Sequence, residues 1–224
     1  MIPWELLDSA PVPGSSSELS LYRRGHEYSI RVDGRELMNN QAYGSEDALA
    51  EQACPLVGNR TRPRVLIGGL GMGYTLAAAL RCLGPDASVV VAELVPAVVA
   101  WNRGVLADLA GRPLFDHRVT VFEGDVGELF KGSPAAFDAV LLDVDNGPEG
   151  LTRVANDRLY ATAGLRSARR ALKPDGVLAV WSAGPDQAFV KRLRASGFRV
   201  QEITARGRGA RGGTHYTVWL ARPV

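Results

Sequence analysis

The chain has 224 residues, 46% hydrophobic and 22% charged, enough for one well-buried α/β domain with a small appendage. Lys+Arg 26 against Asp+Glu 24 leaves a net charge of only +2, so this is not a chain built to coat nucleic acid, and nucleic acid is not an expected partner. No apolar run approaches the roughly 20 residues of a membrane span, and the start, MIPWELLDSAPVPG, shows no basic segment followed by an apolar one. Two cysteines, Cys54 and Cys82, have no metal-ligand spacing. A cytoplasmic protein with free thiols and no metal is expected.

In chain order, residues 1–18 are rich in Pro, Ser and Gly and read as a loose lead-in. Apolar residues then alternate at Leu19 and Leu21, and again at Tyr28, Ile30 and Val32, the period of a half-buried strand. Arg24-Gly25 and Asp33-Gly34 are turn signals, so a small antiparallel β unit is expected over about residues 19–38. Ser45 reads as an N-cap, with Glu46 and Asp47 in the first turn of a helix running to about Val57. From residue 64 short apolar runs alternate with helical segments. The runs begin at Val65, Ser88, Arg118, Phe137 and Gly176, with helices expected over 73–83, 96–109, 125–130, 156–172 and 185–196. Five such alternations predict a parallel sheet with helices on both faces. Two further strands, 198–205 and 214–221, have only an Arg/Gly loop between them and predict a closing antiparallel hairpin.

The strongest chemical signal is Val65-LIGGLGMGYTLAAAL. An apolar strand runs into Gly68, Gly69, Gly71 and Gly73 and then into an Ala-rich helix. Glycines are needed where a ligand lies against backbone at a helix N-terminus. Glu93 ends the next strand, where an acid accepts hydrogen bonds from ribose hydroxyls. The glycine pattern is Gly69-x-Gly71-x-Gly73. Position 74 is Tyr74, so the nicotinamide pattern G-x-G-x-x-G is not met. The form present is typical of S-adenosylmethionine-binding domains. Asp143 falls at the carboxyl end of the fourth strand, where ligands of such sheets bind. A carboxylate there can orient an attacking amine or take its proton. The arginines Arg206, Arg208 and Arg211 lack interleaved aromatics and read as a solvated loop.

With these residues the chain resembles the class I S-adenosylmethionine-dependent transferases, and more narrowly the spermidine synthase (polyamine aminopropyltransferase) family. The resemblance covers about residues 28 to 200. It is carried by Ile30-RVDG, Ser45-Glu46, Val65-LIGG, Asp143-VDNGP, Leu159-Tyr160 and Leu172-KPDGVL. It implies a Rossmann-like seven-stranded mixed sheet of the class I methyltransferase type, an α/β fold with a small N-terminal β unit. The expected division is residues 1–44 for the lead-in and β unit and 45–224 for the S-adenosylmethionine-binding domain. Carried over by position, Gly69, Gly71, Gly73, Glu93 and Asp125 would bind the cofactor, Glu93 at the ribose and Asp125 beside the adenine. Asp143, Asp145 and Asn146 would serve the chemistry. Gln41, Tyr43, Tyr160 and Trp181 would line the acceptor pocket. The family pairs through its N-terminal β region, so a homodimer is expected.

The chain departs from the family pattern at two places. Where aminopropyltransferases carry an aspartate inside the Gly loop, which holds the amino group of decarboxylated S-adenosylmethionine, Gly71 stands here. Where they carry a second aspartate three residues after the strand-four aspartate, Asn146 stands here. Loss of a charge-assisted bond costs about 1.5–3 kcal/mol. The loop as written therefore favours intact S-adenosylmethionine, and the expected function is methyl transfer to a small amine or other small nucleophile. The alternatives are aminopropyl transfer from the decarboxylated cofactor, transfer of a 3-amino-3-carboxypropyl group, and a non-catalytic binding or oligomerisation module of the same fold.

Overall fold

The computed structural model describes residues 2–144, 158–206 and 214–224. Two sheets carry the fold. The first is antiparallel, in the order β1 (Glu5–Pro11), β2 (Glu18–Arg24), β3 (Glu27–Val32) and β4 (Arg35–Asn39). The turns fall at the signalled positions, with Gly25 at φ 62° and the Asp33-Gly34 pair at 48° and 79°. Positive φ at the first central residue, or at both, matches a tight hairpin to the right-handed twist of its strands. The lead-in, however, is not loose. Glu5–Pro11 pairs with β2 through a bulge between Leu6 and Asp8. It buries no side chain fully, so its stability comes from the ladder rather than from an apolar face.

The second sheet has seven strands. They are β5 (Arg64–Gly68), β6 (Ser88–Glu93), β7 (Val119–Glu123), β8 (Phe137–Leu142), β9 (Leu172–Ser182), β10 (Phe198–Arg206) and β11 (His215–Pro223). Their spatial order is β10-β11-β9-β8-β5-β6-β7. β5 to β9 are parallel and the last two close the edge as an antiparallel hairpin. The mixed seven-stranded sheet and the separate small sheet are those expected from the sequence.

Side chains leave a strand alternately to its two faces, and the core divides accordingly. Val65, Ile67, Val89, Val91, Leu141 and Val218 face one layer. That layer is made of α1 (Gly44–Ala53), α2 (Tyr74–Cys82), α3 (Pro96–Arg103) and the buried face of the first sheet, Leu19, Leu21, Ile30 and Val32. Leu66, Val90, Val140, Leu142, Leu178 and Trp219 face the other, made of α4 (Val126–Gly132), α5 (Thr162–Ala171) and α6 (Gln187–Ala195). At the amino end of the strands Asp138, 2% exposed, gathers three donors. Arg60 reaches Oδ1 at 2.8 Å, and the Arg64 N–H and Lys173 Nζ reach Oδ2 at 2.8 and 2.7 Å. Burial alone would push this carboxyl up, but the Arg64 N–H, Lys173 and Arg60 outweigh it and hold the pKa below the usual range.

Two local expectations are corrected. The first helix starts two residues early, with Tyr43 rather than Ser45 at the N-cap and no side-chain cap bond. Ser45 instead donates to Glu46 Oε2 at 2.6 Å, because that carboxyl is buried and needs a donor. The helix after β6 ends at Arg103 rather than Leu109, since Gly104 stops it and turns follow.

Candidate active site

At the carboxyl end of the parallel strands, under the first sheet, lies a cavity of about 420 Å³. Its polar wall comes from strand ends: Gly69 and Gly71 after β5, Glu93 on β6, Asp125 after β7, Asp143 after β8 and Trp181 on β9. The apolar wall comes from the first sheet through Val12, Leu19, Ile30, Val32 and Met38. Parallel strands all point their carboxyl ends one way, which is why residues spread over the sequence meet here.

The Gly loop is held closely. Gly69, Gly71 and Gly73 have φ of 90°, 53° and 85°, the left-handed region that side chains resist. A Cβ on Gly69 would run into the carbonyl oxygen of Asp143. A Cβ on Gly71 would stand 2.6 Å from Cε and 3.0 Å from Sδ of Met38. The Gly71 carbonyl accepts from Asn102 Nδ2 on α3 at 2.8 Å, which fixes the loop from behind. Gly73 is outside the cavity wall and serves as the N-cap of α2.

Glu93 is 8% exposed, and its two oxygens accept from the Leu70 and Val95 N–H groups, each at 2.9 Å. Burial pushes its carboxyl up, and these backbone donors pull the other way. Glu93 therefore shapes the Gly loop as well as facing the cavity, where its remaining lone pairs suit ribose hydroxyls. Asp125 caps α4, accepting from the Gly127 N–H at 2.8 Å, and also lines the cavity. The cap bond engages Oδ1, and a carboxylate has a second oxygen.

Asp143 is set deep and keeps part of its surface open to the cavity. Thr75 Oγ1 on α2 donates to Asp143 Oδ2 at 2.5 Å. Burial pushes this carboxyl up to about 6 despite that bond. Glu46 on α1 shares the cavity wall. Burial and then the charge of Asp143 push it up to about 7. Tyr216 on β11 lines the same end, its ring 5.2 Å from that of Trp181. Among the described residues, no group of three or more His, Cys, Asp and Glu is placed to hold a metal ion.

Three expected acceptor-pocket residues are elsewhere. Gln41 is exposed and bonds to Asn39 and Asn40 in the loop after β4. Tyr43 stacks on Tyr74 with ring centroids 4.2 Å apart. Tyr160 is 2% exposed, packs edge-on against Phe189 and donates to the Val144 carbonyl at 3.2 Å. Both tyrosines are apolar packing surface with a polar tip, which for Tyr160 is the core position that a single tyrosine ordinarily takes. Asp145 and Asn146 lie outside the described residues, as do Arg208 and Arg211. Arg206 ends β10 and is exposed. Sequence reasoning gave no site role to Met38, Thr75, Asn102 or Tyr216, and Glu46 entered it only as a first-turn helix acid and as part of the family resemblance.

A mixed sheet with the closing hairpin, a glycine loop after the first parallel strand and acids at the next strand tips define the class I S-adenosylmethionine-dependent fold. Within that class the chain is spermidine-synthase-like. It is 31% identical over 193 residues to the polyamine aminopropyltransferases of Mycobacterium tuberculosis and Mycobacterium bovis. The match takes in 82% of this chain and 35% of each relative, so the chain spans about a third of the length of the curated relatives it matches. The spermidine synthase of Thermotoga maritima superposes with a TM-score of 0.76 at 17% identity, over 97% of this chain and 72% of that one. A spermidine synthase in complex with the transition-state analogue AdoDATO gives 0.75 at 17% identity, over the same shares of the two chains. A probable spermidine synthase from Corynebacterium glutamicum gives 0.67 at 15%, over 98% and 79%. No family model matches the chain. Among the described residues no helix is long and apolar enough to cross a membrane. These likenesses favour the aminopropyl alternative over the methyl transfer that Gly71 led the sequence reading to prefer.

Proposed function

We propose that the chain transfers the aminopropyl arm of decarboxylated S-adenosylmethionine to an amine. The observation that carries this reading is Asp143, a carboxyl of raised pKa at the junction of the Gly loop and the acceptor end of the cavity. The polyamine aminopropyltransferase relatives supply the transferred group. Glu93 holds the ribose and Asp125 the adenine, so the sulfonium is directed past Gly69 towards Asp143. The acceptor enters as an ammonium, and Asp143 takes its proton. The freed nitrogen lone pair forms the new N–C bond as the C–S bond breaks and its electrons pass to sulfur. The sulfonium is already activated, so alignment and a proton acceptor are what the protein must supply.

A second reading has its own observation. Met38 fills the space beside Gly71, so no carboxylate meets an amino group in the loop. That favours intact S-adenosylmethionine and methyl transfer. Mass spectrometry of the products of putrescine with each donor separates the two. Spermidine from the decarboxylated donor supports the proposal, and N-methylated product from the intact donor alone replaces it. Nucleoside binding with no product from either donor would make the chain a binding module. Asp143→Asn should lower turnover about 10²–10⁴-fold, the usual weight of general-base help. It should change nucleoside affinity by less than about threefold, under 1 kcal/mol.

A further inference from the structure

Glu46 has no part in the transfer as described, yet it is a carboxyl 8% exposed in the wall of the same cavity. Its carboxyl accepts from the Ser45 hydroxyl at 2.6 Å and from its own backbone N–H. Asp143 likewise receives one hydroxyl, that of Thr75, which also stands 3.4 Å from the Glu46 carbonyl oxygen and ties α1 to the end of β8. Each carboxylate has room for about four hydrogen bonds, so much of the acceptor capacity of both is left over. Among the described residues neither forms an ion pair.

Among the described residues, the groups packed around Glu46 supply no positive charge. Asp47 on the same helix is paired with Arg81 of α2 at 2.9 Å, on the exposed side. Tyr74 on α2 and Tyr216 on β11 are neutral phenols, raised further by burial. On β9, Lys173 is paired with Asp138 and Asp175 is exposed. The charged residues of β10 and β11, among them Arg199, Glu202 and Arg206, are exposed. Two carboxyls on the wall of one poorly solvated cavity resist ionising together.

We propose that Glu46 is a positioning residue for Asp143: the two carboxyls, set on one cavity wall with Thr75 linking their elements, act together at the acceptor end, and an incoming ammonium displaces the proton that Glu46 keeps. The proposal rests on the transferase reading for its ligand but not for the coupling itself. Before binding, the pair carries one proton and one negative charge. Ammonium entry releases that proton to solvent and leaves two carboxylates around one cation. Asp143 then takes a proton from the ammonium, made a stronger base by the charge on Glu46, and the neutral amine attacks. After transfer the product nitrogen carries the positive charge that sulfur lost, and the proton on Asp143 leaves to solvent. The raised pKa values of both groups, with burial as the main cause, agree with a pair that is not fully ionised near neutrality.

The test is a carboxyl ¹³C NMR titration of wild type, Glu46→Gln, Glu46→Asp and Asp143→Asn, followed by calorimetric binding of putrescine and of 5′-methylthioadenosine. Asp143 ionises first, while Glu46 is still neutral, so Glu46→Gln should leave the Asp143 midpoint nearly unchanged. Asp143→Asn should lower the Glu46 midpoint by about one pH unit or more, since it removes the charge that raises Glu46. Glu46→Asp, which keeps the carboxyl, should titrate in two steps as wild type does. Putrescine should bind Glu46→Gln about ten- to a hundredfold more weakly, the scale of one charge-assisted bond. 5′-Methylthioadenosine should bind Glu46→Gln and wild type alike. An unmoved Glu46 midpoint in Asp143→Asn would overturn the pair, whatever the protein transfers. Coupled midpoints in a protein that binds neither probe would keep the pair and overturn the transferase reading instead.

Discussion

The contact between Met38 and Gly71 makes a quantitative prediction about which donor the cavity takes. Gly71→Asp brings back a carboxylate in the loop. Its Cβ would stand 2.6 Å from Met38 Cε, where carbon–carbon contacts settle at about 3.5–4.0 Å. The thioether must therefore move by about an ångström, and overpacking of this kind costs about 1–3 kcal/mol. The φ of 53° at Gly71 adds strain for any side chain, about 1–2 kcal/mol in general and less for aspartate. A total near 3 kcal/mol should lower Tm by about 6–12 °C in a chain of this size. Met38→Ala removes the obstruction at the cost of a half-buried side chain, about 1–2 kcal/mol, below the range for full burial. The double variant should then be more stable than the two single losses added together, by about 1–2 kcal/mol. It should also bind decarboxylated S-adenosylmethionine about ten- to a hundredfold more tightly relative to the intact donor than wild type does, through one new charge-assisted bond. Scanning calorimetry reads the stabilities and titration calorimetry the two affinities. Gly71→Asp as stable as wild type, or an unchanged donor ratio in the double variant, would refute the steric account.

Three further outcomes follow from the site and its scaffold. Glu93→Ala should weaken nucleoside binding about ten- to a hundredfold, and it should also lower unfolding free energy by about 2 kcal/mol by leaving the Leu70 and Val95 N–H groups unpaired; equal stability to wild type in urea unfolding would contradict that double role. Asp125→Ser should keep the cap of α4, changing stability by less than about 0.5 kcal/mol, while weakening nucleoside binding, whereas Asp125→Ala should also lose about 1 kcal/mol of stability; a Ser variant that binds normally would remove Asp125 from the cofactor shell. Asp138→Asn should cost about 2–3 kcal/mol at neutral pH. Because the folded pKa of Asp138 is depressed, its stabilisation is present above the unfolded value near 3.9 and is lost as pH falls through the folded value, so the wild-type advantage in thermal unfolding should shrink below about pH 4. A difference independent of pH would mean the clasp acts by packing alone.

The strands of the large sheet were legible because each is a short apolar run and the loops between them carry the turn chemistry. The cofactor end was legible for a related reason. Gly69, Gly71, Glu93, Asp125 and Asp143 all follow directly from strand ends, so placing the strands places them. Strand β1 was not legible because Glu5–Pro11 is an edge strand with no fully buried side chain, and pairing without burial leaves no alternation to read. The acceptor end was harder still. Tyr43 and Tyr160 are aromatic residues near the site in sequence, but whether a ring faces a cavity or another ring is decided by packing. Glu46 looked like an ordinary first-turn acid favoured by the helix dipole. Only the laying of α1 against the end of β8 turns that acid inward.

The first sheet has a more direct part in the site than an appendage would. It supplies the apolar wall of the cavity, and Met38 on β4 decides what the Gly loop can contain. It is also tied to the loop from the far side. Trp101 on α3 donates through Nε1 to Asp8 of β1 at 2.7 Å, and the next residue on α3, Asn102, holds the Gly71 carbonyl. The loop is thus gripped between β4 in front and α3 behind, and β1 is bonded to α3. Rigidity at Gly71 is what a donor site needs, because binding energy spent on ordering a loose loop is not available for aligning the sulfonium. The strand that was hardest to see in the sequence therefore helps fix Gly71, where the loop lacks the carboxylate that the family resemblance leads one to expect.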